Sequence, residues 1–284
     1  MAVSVLIKEK ALFKRDYTLE DILTDALSFG VPDENYRLQR GKKGEWTVVF
    51  RRARIGRGFE VRTGKGEIEL NMPLPSTESD ILYFYEYVTG LCELLKTDFF
   101  YRDGHKVHAA DRSGWAESDI RASEAALRDI RNRVESGQME SFYVMGAVNP
   151  ICLGRRELEV IDGDPKRFEA LLDMLQKKDV FYASPKVYRK EDSGLIGVFT
   201  LTEDIPTVLP YVPTIFLNTT MVVEQWYARF VADTGKGYNT LGQIPYRDLV
   251  ANCTKEDVYD TDHFVTRLGA AEMKDLVGRF GRRI

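Results

Sequence analysis

Apolar and polar residues alternate over 3–8, the period of a strand with one buried face, so the chain is expected to open on a β-strand. Thr18 then precedes Leu19, Ile22, Leu23, Ala26 and Leu27 at helical spacing, with Glu20 and Asp21 in the first turn. That order predicts a capped helix ending at Gly30, because a hydroxyl and acids satisfy the exposed N–H groups at a helix start. From Tyr36 to Met72 the pattern turns to strands at 36–39, 46–52, 59–62 and 67–72, separated by the glycine turns at 41–44, 56–58 and 64–66. An antiparallel meander is predicted.

After Pro73 and Pro75, the residues Ile81, Leu82, Tyr85, Val88, Leu91, Cys92 and Leu95 predict a core helix over 79–96. Asp103-Gly104 divides 99–102 from 106–109 and suits a two-residue hairpin turn. The charged stretch 116–134 has only a narrow apolar stripe and reads as a surface helix bridging two halves. Strands are expected at 141–153, broken at Asn149-Pro150, and again at 156–161, where residues alternate. Asp164-Pro165 opens a helix to 178, and strands follow at 180–182, 186–189 and 195–202. Three prolines make 206–213 a bend or an edge segment. The stretch 221–232 reads as a helix on the spacing of Val222, Val223, Trp226, Tyr227, Phe230 and Val231, although its β-branched and aromatic content favours a strand. A short helix is expected over 245–252, and Asp262 is expected to cap a last helix burying Phe264, Val265, Leu268, Leu276, Val277 and Phe280.

The segment Leu94-Leu95-Lys96-Thr97-Asp98-Phe99-Phe100-Tyr101 matches Leu175-Gln176-Lys177-Lys178-Asp179-Val180-Phe181-Tyr182 at five of eight positions, at an offset of 81. Each copy follows an acidic alternating stretch, a proline turn and an amphipathic helix, so each reads strand, helix, strand. The fold class predicted is α+β, with antiparallel sheets packed by amphipathic helices in two similar halves, 1–138 and 139–284, or merged in one domain. The aromatics of the repeat are best explained as core.

Composition narrows the function classes. A net charge of −4 over 284 residues provides no long-range field toward nucleic acid or an anionic membrane, so any such affinity has to be local. No apolar run approaches the roughly 18 residues of a membrane helix, and no signal-peptide core is expected at the start. Cys92, Cys152 and Cys253 are odd in number and at least sixty residues apart, which fits neither zinc nor a disulfide framework. A reducing compartment, the cytoplasm, is expected.

The local anomaly is 40–65, where nine cations face Glu45 and Glu60 for a segment charge of +7. Candidate binding residues are Arg40, Lys42, Lys43, Arg51, Arg52, Arg54 and Arg57, with Trp46, Phe50 and Phe59 as stacking faces and glycine turns that expose N–H groups to anions. The competing reading is a solvated sheet face whose cations pair with acidic helices of the same chain. Between partners, a protein with an acidic face is favoured over nucleic acid. Gly56-Arg57-Gly58 lacks the Gly-Lys-Ser/Thr of a phosphate loop.

Other clusters carry little chemistry. His105 and His108 lie three apart on a strand and face opposite sides, so with Asp103 and Asp111 they are not expected to hold a metal. The acids Glu256, Asp257, Asp260 and Asp262 beside His263 lack the glycine and distal glutamate of a calcium loop. The pairs Glu67/Glu69 and Glu157/Glu159 read as the wet faces of strands. No nucleophile stands in a catalytic context, and no cofactor or metal is expected.

The opening Val3-Ser4-Val5-Leu6-Ile7-Lys8-Glu9-Lys10, with Tyr17-Thr18-Leu19-Glu20-Asp21-Ile22-Leu23, resembles an uncharacterised bacterial family of about this length with no assigned activity. The resemblance implies no site residue. The leading expectation is an interaction protein that binds another macromolecule through the basic sheet face; the alternative is a small-ligand binder or enzyme with its site in a cleft between the halves.

Overall fold

The computed structural model describes residues 2–33, 36–189, 194–214, 222–233, 235 and 237–281. The fold is α+β, and the chain divides into two compact units, Met1–Lys177 and Lys178–Ile284. Residues 139–177 therefore pack within the first unit. Among the described residues no helix is long and apolar enough to cross a membrane.

The first unit runs β1 (Ala2–Lys8), α1 (Leu19–Ile22), β2 (Leu27–Pro32), β3 (Leu38–Arg40), β4 (Thr47–Arg51), β5 (Phe59–Gly64), β6 (Glu67–Pro73) and α2 (Glu78–Leu94). It continues with β7 (Phe99–Arg102), β8 (His105–His108), α3 (Arg112–Glu135), β9 (Phe142–Met145), β10 (Pro150–Leu153), α4 (Arg155–Ile161) and α5 (Pro165–Gln176). Eight strands form one antiparallel sheet in the order β3-β2-β4-β5-β6-β1-β7-β8. The register pairs Val3 with Met72, Val5 with Leu70 and Ile7 with Ile68, all of them buried. Strand alternation thus places one apolar face under α2, which contributes Ile81, Phe84, Val88 and Leu91 to the same core. Asp103 and Gly104 both take positive φ in the β7–β8 turn, as that dipeptide allows.

The helix expected over 19–30 is a single turn. Leu23 is already extended, and Leu27–Pro32 pairs with β3 and β4, because Leu27, Phe29 and Val31 also satisfy a period of two. The 116–134 helix is α3, which packs on α2, α4 and α5 inside the first unit rather than bridging two halves. Its stripe looked narrow because two of its inward members are polar. Asp119 accepts hydrogen bonds from Tyr85 Oη (2.5 Å) and Arg102 Nη2 (2.6 Å), and the Ser123 hydroxyl accepts one from Ser76 N–H (3.1 Å).

Residues 156–161 belong to helix α4, not to a strand. Glu157 is buried, accepts the Gly154 N–H at 3.1 Å and thereby closes the N-terminus, while Leu158 and Ile161 bury at helical spacing. The second copy of the repeat is therefore helix, helix, strand, whereas the first is β6, α2, β7. The boundary between the units also falls within that second copy. What the two copies share is the passage from helix to aromatic strand; Phe100 and Tyr182 are buried, but Phe181, the counterpart of Phe100, is 43% exposed, so the aromatics of the repeat are core only in part.

The second unit holds β11 (Phe181–Tyr182), β12 (Lys186–Arg189), β13 (Leu195–Thr202), β14 (Thr207–Pro210), β15 (Gln225–Asp233), β16 (Tyr238–Pro245), α6 (Tyr246–Asn252), β17 (Asp257–Val258), β18 (His263–Thr266) and α7 (Ala270–Phe280). Two four-stranded sheets result, β11-β14-β18-β17 and β12-β13-β15-β16. The 206–213 stretch contains an internal strand, β14, which pairs with β11 and β18 because Pro206 and Pro210 stand just before it and at its last position. The helix expected over 221–232 is strand β15, with Met221 outside the described residues; Ala228, Phe230 and Ala232 bury at a period of two. Asp262 does not cap a helix. It precedes the fully buried strand β18, and α7 starts later, capped at Gly269.

Phe84 is fully buried against Phe59 and Tyr85. Phe84→Ala is expected to destabilise the first unit by about 3–5 kcal/mol, measured by urea denaturation, because the cavity adds to the lost burial.

Candidate ligand pocket and basic segment

The +7 segment folds into β3, β4, β5 and their loops, and most of its cations are engaged within the chain. Lys43 pairs with Glu20, and Arg51 stacks 5.4 Å from the Tyr83 ring centroid. Arg52 Nε donates to Leu27 O (3.0 Å) and Ser28 Oγ (3.1 Å), and Arg54 Nη1 meets the buried carboxylate of Glu169 at 2.6 Å. Arg62 bridges Glu45 and Glu69 and covers Trp46. Arg40 and Lys42 are exposed and form no ion pair among the described residues.

One face of α5 grips the loop that joins β4 to β5. Glu169 accepts from Ser79 N and Arg54, Asp173 accepts the Ile55 N–H at 2.6 Å, and Gln176 Nε2 donates to Gly56 O at 2.7 Å. Lys177 Nζ adds a bond to Ala53 O at 2.9 Å. These positions recur at helical spacing, so a single polar stripe satisfies the backbone of residues 53–56.

The glycine turn does present N–H groups to an anion, and the anion is internal. Arg57 N–H and Gly58 N–H both donate to Asp80 Oδ2, at 2.7 and 3.3 Å, while Asp80 N–H donates to Thr77 Oγ1 at the start of α2. A Cβ on Gly56 would lie 2.1 Å from that oxygen, so only glycine lets the carboxylate in. Burial pushes the Asp80 carboxyl above its ordinary range, although the N–H donors act the other way.

Arg57 is separated from the other candidates. Its Nε donates to Met145 O (3.0 Å) and its Nη1 to Pro75 O (2.7 Å), and among the described residues no carboxylate lies within ion-pair distance. Among the described residues nothing accepts from Nη2. Burial lowers the guanidinium to about 10, and the Asp80 charge partly offsets this, so it stays a cation at neutral pH.

Arg57 lines a cavity of about 220 Å³ in the first unit. Its walls are mostly apolar, including Pro32, Leu38, Val48, Phe59 and Met145, with Glu60 and Asn71 as further polar groups. Glu60 and Asn71 face each other across β5 and β6, and burial raises the Glu60 carboxyl while the Asn71 hydrogen bond opposes the shift. The turn after β9 completes the wall: Leu38 N–H donates to Val148 O and Ala147 N–H to Gly56 O. An apolar cavity with a few oriented polar groups is the usual form of a small-ligand site. Of its polar residues only Arg57 stood out in the sequence; Glu60 appeared there as an acid diluting the basic segment, and Asn71 gave no signal.

The remaining clusters are positioned for structure. His105 and His108 are exposed on β8, and His108 Nδ1 accepts the Ala110 N–H. His263 bridges the Tyr182 hydroxyl (2.9 Å from Nε2) and Asp260 (2.7 Å from Nδ1), all three buried, which ties β11 to β18. Asp257 instead pairs with Lys178, and Glu256 with Arg267. Glu67 and Glu69 take different cations, Lys8 and Arg62. Among the described residues no group of three His, Cys, Asp or Glu side chains converges as metal ligands.

A family described as a domain of unknown function, DUF4299, matches residues 2–276. The chain belongs to this family. The resemblance carried by its first twenty residues thus extends over nearly the whole length. No curated protein and no solved structure matches it.

Asp80→Ala leaves two buried N–H donors unpaired and is expected to destabilise the first unit by on the order of 3 kcal/mol. Gly56→Ala should act in the same direction by expelling the carboxylate, both being measured by urea denaturation. Glu60 gives a pH test. The unfolded chain loses this proton near the ordinary 4.5 and the folded chain only at a higher pH, so the wild type loses stability as pH rises through that window. Glu60→Gln has no such proton, so its urea midpoint should gain on the wild type as pH rises above the ordinary 4.5.

Proposed function

We propose that this protein is a small-ligand binding protein whose ligand carries a carboxylate or similar anion on a compact apolar body. The observation that carries this reading is Arg57, a half-buried cation oriented by two backbone carbonyls, with Nη2 unengaged among the described residues, at the wall of an apolar cavity. A guanidinium held at two of its nitrogens is preorganised for an anion, and the low-polarity wall strengthens the attraction. Glu60 and Asn71 supply acceptor and donor groups for a second polar end of the ligand. The cavity lies below the roughly 300 Å³ of drug-sized sites, which limits the ligand to a small molecule. Cys92 and Cys253 are buried free thiols, which supports a reducing, cytoplasmic location.

A second reading is binding of an acidic protein surface, favoured by Arg40 and Lys42, which are exposed and form no ion pair among the described residues. One comparison separates the two. A thermal-shift screen of aromatic and short aliphatic carboxylates is expected to find a stabilising ligand whose affinity drops about tenfold or more in Arg57→Ala. It should be unchanged in the Arg40→Glu/Lys42→Glu double variant. Equal stabilisation of wild type and Arg57→Ala would refute the pocket reading, and a partner protein lost only in the double variant would establish the second.

A further inference from the structure

The ligand cavity is charged at two places, and the charges are opposite. Phe59 and Val61 point into the core under α2, so Glu60, between them on β5, projects from the other face of the sheet. There it stands in a cross-strand row with Val48 of β4 and Asn71 of β6, and all three line the cavity. Arg57, three residues earlier, lines the same cavity from the β4–β5 loop.

The row leaves Glu60 without a cation. Two residues along the same strands Arg62 lies opposite Glu69 and binds it at 2.6 Å, whereas the residue opposite Glu60 is the neutral Asn71. Arg57 does not supply the missing charge. Among the described residues it forms no ion pair, and the anion whose charge acts on it is Asp80. Burial holds the Glu60 carboxyl above its ordinary range, and only the Asn71 hydrogen bond acts against this. An ionised carboxylate accepts and does not donate, so the Asn71 amide N–H gives that bond, which leaves Asn71 Oδ1 as a second acceptor beside the acid.

We infer that the ligand is a zwitterion, a small apolar amino acid whose carboxylate meets Arg57 and whose ammonium meets Glu60 and Asn71. This rests on the anion role proposed for Arg57 and adds the second contact. An ammonium brings one positive charge and three donors, which match an acid without a cation and a neighbouring acceptor. A dicarboxylate would set a second negative charge against Glu60, and a simple amine would set a cation against Arg57, both in surroundings of low polarity. The walls between the two charges include Leu38, Val48 and Met145, which suit a short hydrocarbon body.

Isothermal titration of the full chain near neutral pH tests this with leucine, valine and γ-aminobutyrate. Each is compared with its amine-free acid (isocaproate, isovalerate, butyrate) and its carboxyl-free amine (isoamylamine, isobutylamine, propylamine), and the α and ω arms distinguish the two spacings of charge. At least one amino acid should bind about tenfold or more tighter than its matched acid and its matched amine. Glu60→Gln, close in shape to the wild type and checked by its thermal midpoint, should erase that margin while the weaker binding of the matched acid persists. Arg57→Ala should abolish both. In the wild type the amino acid's affinity should fall as pH drops toward the ordinary 4.5, because burial makes Glu60 take up its proton above that value, and the matched acid should show no such fall. A matched acid that binds the wild type as tightly as its amino acid, with Arg57→Ala still abolishing it, would overturn the zwitterion and leave the anion reading standing. Amino-acid binding unchanged in Glu60→Gln, or no amino-acid binding at all, would overturn the zwitterion as well. Binding indifferent to Arg57→Ala would remove the anion reading with it.

Discussion

The first unit depends on how one buried carboxylate is satisfied. Asp80 stands at the N-terminal turn of α2, where helix geometry leaves N–H groups without partners, yet its side chain turns away to bind the N–H groups of Arg57 and Gly58. A desolvated carboxylate is tolerable only with such donors, and Gly56 admits it by having no side chain. The result fixes the β4–β5 loop against α2, and with it the direction of the Arg57 side chain. Met145 O and Pro75 O then take two of the guanidinium nitrogens.

This arrangement explains why a strongly basic segment does not form a uniform cationic surface. Its arginines are held by Tyr83, Glu169, Leu27 O and the Glu45/Glu69 pair, and α5 binds the loop backbone through Asp173, Gln176 and Lys177. Net local charge is a property of composition, whereas a binding surface needs charges without partners. Among the described residues, Arg40, Lys42 and the Nη2 of Arg57 meet that requirement in this segment.

Much of the fold was legible wherever one periodicity stood alone. The β1 alternation, the α2 stripe, the Asp103-Gly104 hairpin and the Asp164-Pro165 helix start all appear where the sequence places them. Errors fell where two periods fit the same residues. The helix expected up to Gly30 and the one expected over 221–232 give way to strands Leu27–Pro32 and Gln225–Asp233, and 156–161 alternates but folds within the helix Arg155–Ile161 closed by Glu157. A short segment of mixed pattern takes the form its neighbours can hydrogen-bond, and those neighbours are distant in sequence.

The sequence by itself determined the α+β class, the position of most turns and helix caps, and the location of the charge anomaly, because these follow from local pattern and backbone preference. Only the tertiary structure decided which cations are spent. The partners of Arg54, Ile55 and Gly56 lie more than a hundred residues away on α5, and Asp80 lies more than twenty residues beyond the turn it clamps. No periodicity records such a pairing, since it arises when the packed core of β1, β6 and α2 brings the loop, the helix start and α5 together. The pocket at Arg57 is a consequence of that packing.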